Sequence, residues 1–172
     1  MRTSGITGTR LLARLAVMTA AALVLSWLES FIPMPFPVPG AKPGLANIAV
    51  VFTLYTMGAV PALAVSLMRV FLAGFMFGTF SSILYSLSGA LLSLAVMILI
   101  KRFTDAGIVL TSTLGGIAHN AGQLFCACLV LQTPALLYSW GPLLLVFGTL
   151  TGIFIGLISD YLVKRLKTFA GI

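Results

Sequence analysis

The sequence predicts an all-α integral membrane protein: one domain over residues 1–172, built as a bundle of six transmembrane helices. Composition is the first reason. Hydrophobic residues make up 60% of the chain and charged ones only 8%, too few to clothe a soluble surface. The second is pattern, because the apolar stretches are long and lack the alternation of a barrel strand. Lipid leaves only helices and closed barrels able to satisfy their own backbone. The third is charge placement. Arg2, Arg10, Arg14, Lys101, Arg102, Lys164, Arg165 and Lys167 all sit at the ends of apolar segments.

With a spanning unit of about 20 residues, six segments emerge. The first is Leu11 to Ile32. The second, Leu45 to Met57, is short and reads as tilted or partly re-entrant. The third runs from Val60 to Phe77, the fourth from Ser81 to Ile100, the fifth from Ile108 to Leu131 and the sixth from Leu136 to Val163. Arg10 and Arg14 followed by an apolar run resemble a signal peptide, but cleavage would upset the charge balance, so a signal anchor is the better reading. Between the first two segments lies PMPFPVPGAKPG, residues 33–44. Its alternate prolines forbid helix and favour an extended, semi-rigid arm. That arm is either a lid on the outer mouth of the bundle or a plain stiff linker.

Eight of the ten basic residues fall on one side if both termini are cytoplasmic, as the positive-inside rule requires. The net charge of +7 is thereby explained by topology, and nucleic acid is not an expected partner. The expected setting is the cytoplasmic membrane, crossed several times, with the lipid bilayer as first partner. Cys126 and Cys128 stand too close on one helix for disulfide geometry, and a single His leaves too few ligands for zinc, so no metal is expected.

Function is carried by polar residues stranded in apolar surroundings, which in a membrane face a cavity, a partner or the bundle interior. Arg69 is the costliest, at about 2.5–3.5 kcal/mol on insertion scales. Glu29 is a candidate partner for Arg69 or Lys42. Without it, Arg69 is open to an anionic ligand such as a carboxylate or phosphate. In the fifth segment Gly116, His119, Gln123 and Cys126 share one helical face with Asn120 beside it, and the small residues around them let a backbone or a planar ligand come close. These polar groups serve either a ligand or interhelical packing. Ser82, Tyr85, Ser86, Gly89 and Ser93 form a stripe on the fourth segment, and Asn47 and Tyr55 add polar positions on the second. Small residues recur at Gly148, Gly152 and Gly156, and at Ala13, Ala16 and Ala20. Both patterns allow close helix approach, either inside the bundle or against a partner subunit.

Taken together, Glu29-Ser30, the proline arm running into Ala41-Lys42-Pro43-Gly44-Leu45-Ala46-Asn47, Arg69-Val70, residues 85–93 and residues 119–124 resemble the heptaprenyl diphosphate synthase component I family, also called the Gx transporter family. The resemblance covers nearly the whole chain. Pro43 departs from the family's typical Lys-Leu-Gly-Leu-Ala-Asn, which stiffens the arm. The family is similar to the S components of energy-coupling-factor (ECF) transporters. That similarity implies a substrate-binding subunit for a small cofactor or precursor, working with a transmembrane coupling subunit and ATPases. It implies ligand-binding roles for Asn47, Arg69, Tyr85, His119, Asn120 and Gln123. Gate roles fall to Glu29, Pro37, Gly40 and Lys42, and docking roles to Ala13, Ala16 and Ala20. No covalently bound cofactor is expected, and the ligand is not identified. The chain has no P-loop, so ATP-driven transport must borrow one. Despite the family's synthase name, no enzyme is expected. Prenyl diphosphate chemistry uses paired aspartates to hold magnesium, whereas Glu29, Asp105 and Asp160 are far apart in sequence. The alternative reading is a non-catalytic membrane partner in quinone or isoprenoid metabolism, or in flavin- or quinone-linked electron transfer.

Overall fold

The computed structural model describes residues 8–32 and 44–170, with side chains to residue 168. Six helices follow one another: α1 (Gly8–Ser30), α2 (Asn47–Thr56), α3 (Ala59–Phe77), α4 (Phe80–Phe103), α5 (Ile108–Leu131) and α6 (Ala135–Ala170). All but α2 are long and apolar enough to cross a membrane. Ten residues rise about 15 Å, roughly half a bilayer core. The expected second span is therefore corrected to a half-length helix.

That short helix is the centre of the bundle. It touches α1, α3, α5 and α6, and Ile48, Ala49, Val50, Val51, Thr53 and Leu54 are all buried on it. A helix apolar on every side has no solvent or lipid face to offer and must be surrounded. Ala22, Ala62, Val65, Leu94, Met97 and Ile155 pack around it as the main core. Gly58, at φ +102°, makes the tight turn from α2 into α3 that a side chain would strain.

The far end of α2 is capped from another helix. Lys101 Nζ on α4 donates to the Leu54 carbonyl at 2.6 Å and lies 4.6 Å above the Tyr55 ring. The Tyr55 hydroxyl donates in turn to Thr111 Oγ1 on α5 at 2.8 Å. The last carbonyls of a helix lack partners and carry partial negative charge, so a cation there is favourable. Lys101→Met is expected to lower stability by about 1 kcal/mol, read as a lower melting temperature in detergent, with Arg102→Met beside it changing little.

The sixth helix outruns its expected end at Val163 by seven residues and is about 54 Å long. Lys164, Arg165 and Lys167 close the lipid-soluble part without ending the helix, since charged side chains are good helix formers in water. Lys164 pairs with Asp160 at 2.6 Å, an i, i+4 contact along the helix.

The small-residue stripes separate by role. Gly148, Gly152 and Gly156 are buried against α5, where a Cβ at Gly152 would stand 2.7 Å from Thr113 Cα and one at Gly156 2.8 Å from Val109 Cα. That glycine stripe is internal packing. Ala13, Ala16 and Ala20 are all exposed, turned away from the buried Thr19, Ala22, Ser26 and Glu29 of the same helix.

Candidate functional site

Arg69 stands at the middle of α3, the eleventh of its nineteen residues, and is buried. One guanidinium nitrogen donates to Asn47 Oδ1 at 3.2 Å. Asn47 is the first residue of α2, so the half-length helix begins at the depth of Arg69. Glu29, 2% exposed near the end of α1, is close enough for its charge to act on Arg69. Its carboxylate also accepts hydrogen bonds from the backbone N–H groups of Gly44 and Leu45. No side chain of α2 caps that helix's own start. Glu29 therefore supplies from α1 the negative charge that a helix N-terminus favours.

These groups open onto a small polar cleft of about 20 Å³, lined by Ser26, Glu29, Arg69, Val70, Ala73, Gly74, Gly78, Ser82 and Ser86. Such a volume holds about one water molecule. Two buried polar atoms in its lining, Arg69 Nε and Ser26 Oγ, have no hydrogen-bond partner among the described residues. The wall is tight: a Cβ on Gly74 would lie 2.2 Å from Ile83, and one on Gly78 2.6 Å from the Ser82 hydroxyl. Ser82 closes a capping box with Thr79 at the start of α4.

His119 is buried on α5 and hydrogen bonded to the Gly89 backbone of α4. Its Nδ1 has no partner among the described residues, and it lies within Coulombic reach of Arg69. Gln123 packs on the same glycine: a Cβ at Gly89 would meet Gln123 Cγ at 2.7 Å. Tyr85 is buried on α4. Asn120 turns elsewhere. Its Nδ2 donates to the Leu144 carbonyl of α6 at 2.8 Å, and it lines an apolar cleft of about 570 Å³ with Leu92, Phe125 and Pro142.

The structure thus brings Glu29, Asn47 and Arg69 together and sets His119 near them, while Asn120 serves the α5–α6 contact. The single face expected on α5 is split. Gly116 packs against Gly148 and Gly152 of α6, and His119 and Gln123 face Gly89 of α4. Tyr55 belongs to the Lys101 end, away from Asn47. Pro37, Gly40 and Lys42 lie outside the described residues. Sequence reasoning missed Ser26, Gly74 and Gly78. Ser26 had a readable signal, being three residues before Glu29 on the same helical face. Among the described residues no group of three or more His, Cys, Asp or Glu side chains could hold a metal.

The arrangement defines a class: a multi-pass α-helical membrane protein with a buried, polar, partly unsatisfied cluster at mid-span. Its fold is that of an ECF S component. A solved structure of the S component of a bacterial ECF transporter superposes with a TM-score of 0.68 at 19% identity, covering 95% of this chain and 99% of that one. The chain belongs to the heptaprenyl diphosphate synthase component I family, whose model matches residues 18–162. A search of curated proteins gives no match.

Proposed function

We propose that this chain is the membrane-embedded binding subunit of an uptake system for a small cofactor or precursor, energised by a separate coupling subunit and ATPases. The observation that carries this reading is the buried Glu29–Arg69–Asn47 cluster inside an S-component fold. Arg69, Asn47, His119, Gln123 and Tyr85 bind the ligand, with Asn120 holding α6 against the site. Glu29 grips Gly44 and Leu45 just ahead of α2, and a gate role goes with it. Both termini are cytoplasmic, and the membrane is the cell membrane. The chain is not a synthase: its three acids are dispersed, and diphosphate chemistry needs carboxylates that share a magnesium ion.

The exposed stripe of Ala13, Ala16 and Ala20 docks the coupling subunit, since small residues let two helices approach closely. Replacing Ala16 and Ala20 together by leucine is expected to abolish co-purification with the coupling subunit and ATPases. The melting temperature of the isolated chain should stay within about 2 °C of the parent, because both positions are exposed. Unchanged association would remove the docking role. His119→Ala is expected to abolish ligand binding in a protein that still folds; loss of folding instead would assign His119 to packing.

The apolar cleft beside Asn120 and Pro142 favours a second reading, a non-catalytic partner in quinone or isoprenoid metabolism. Under that reading the Ala16 and Ala20 replacements are silent, and a long apolar molecule is released from the purified protein on denaturation.

A further inference from the structure

Arg69 is the basic side chain placed at mid-span among the described residues, and its bonding is incomplete. Asn47 Oδ1 takes one terminal nitrogen at 3.2 Å, while Nε has no acceptor among the described residues. Ser26 Oγ, 3% exposed and lining the same cleft, is likewise without a hydrogen-bond partner among the described residues. Two orphaned buried polar groups on one cleft are costly unless something else satisfies them. The planar guanidinium edge through Nε matches a carboxylate, which accepts two parallel N–H bonds, and a hydroxyl beside it can donate a third.

From this we infer that the Arg69 cleft binds the carboxylate of a singly charged, amphipathic ligand and rejects diphosphates. The inference rests on the binding-subunit reading and narrows it to a substrate class. Charge balance is the first reason. Glu29 gives its carboxylate to the Gly44 and Leu45 N–H groups, and the Nε edge of Arg69 stays open to one further carboxylate. A diphosphate would bring at least two charges to a site with a single cation, and buried charge without a counter-charge is strongly disfavoured. Space is the second reason. The cleft has about 20 Å³, and its Gly74 and Gly78 wall packs on the side chains of Ile83 and Ser82, which must shift to admit any ligand group. A single planar acid group of three heavy atoms requires a smaller shift than two linked tetrahedral phosphates.

The test uses the full chain in mild detergent, with unfolding followed by the fluorescence of Trp27 and Trp140. Sodium butyrate, inorganic pyrophosphate and butylamine are added at matched ionic strength against sodium chloride. Butyrate is expected to raise the melting temperature of the parent protein by several degrees. Arg69→Gln and Ser26→Val should each need at least tenfold more butyrate for the same rise. Ser26→Val keeps the arginine and fills the cleft, so it carries the test if Arg69→Gln does not fold. Pyrophosphate and butylamine should do no more than chloride. A butyrate effect that is absent in the parent, or equal in both variants, overturns the carboxylate site, and stronger stabilisation by pyrophosphate overturns the charge class. The uptake reading is judged separately by coupling-subunit association, so either can fail while the other stands.

Discussion

Replacing Glu29 with alanine is expected to lower the stability of the isolated chain by about 3 kcal/mol, one of the largest effects of any single polar substitution here. The carboxylate does two jobs at once. It accepts hydrogen bonds from the Gly44 and Leu45 N–H groups, and its charge acts on Arg69 across the cleft. Alanine removes the acceptor, leaving two N–H groups at the start of α2 without it, and removes the counter-charge of a buried guanidinium. Both groups are buried, and an unsatisfied buried group costs more than one at a surface. Glu29→Gln separates the two contributions. Its amide oxygen still accepts from the backbone but carries no charge, so about half of the loss should return. Equilibrium unfolding in detergent with increasing sodium dodecyl sulfate reads both variants. Equal stability of the alanine, glutamine and parent proteins would show that the carboxylate is not the tie between α1 and α2. Because the same grip holds Gly44 and Leu45 ahead of α2, Glu29→Ala should destabilise that junction more than Asn47→Ala does.

Much of this architecture was legible in the sequence for a plain reason. A long helix in lipid must be apolar along its length, so hydropathy alone marks α1, α3, α4 and the start of α6 within a few residues, and α5 at its observed bounds, Ile108–Leu131. The half-length of α2 was less legible. Whether thirteen apolar residues span or stop at mid-depth depends on what surrounds them, and the neighbours of Leu54 and Val51 are set by the tertiary fold. The reach of α6 beyond Val163 was hidden because hydropathy reports where lipid ends, not where a helix ends. Within the site, Arg69, Asn47 and Glu29 stood out as polar groups in apolar surroundings, and the fold brings those three together. The splitting of the α5 face was not readable. A helix wedged between two neighbours has two contact surfaces, and three- and four-residue spacing cannot say which neighbour each residue meets. Lys101 carried a topological signal in the sequence and nothing of its bond to the Leu54 carbonyl, which joins residues 47 positions apart.

The packing between α5 and α6 supplies the second large effect. Gly116→Ala is expected to cost about 2 kcal/mol, at the middle of the range for overpacked interiors, and Gly116→Leu should prevent the protein from accumulating in the membrane. A Cβ at Gly116 would stand 2.4 Å from the Gly148 carbonyl oxygen and 3.0 Å from Gly152 Cα. Both are backbone atoms, so nothing can rotate aside and the two helices must move apart. The contact is reciprocal, since a Cβ on Gly148 would meet the Gly116 carbonyl at 2.8 Å. Between helices in lipid, where no hydrophobic force draws them together, close van der Waals approach is the main attraction, and separation by even one methyl forfeits much of it. Separation would also stretch the Asn120–Leu144 hydrogen bond, now 2.8 Å, leaving a buried amide without its acceptor. Gly115 is the internal control. Its added Cβ would meet Met97 Cγ at 2.6 Å, a side chain with rotatable bonds rather than backbone, so Gly115→Ala should cost less than Gly116→Ala. Melting temperatures of the two alanine variants, measured side by side in one detergent, decide the matter. A larger loss at Gly115 than at Gly116 would mean that α5 and α6 do not meet backbone to backbone.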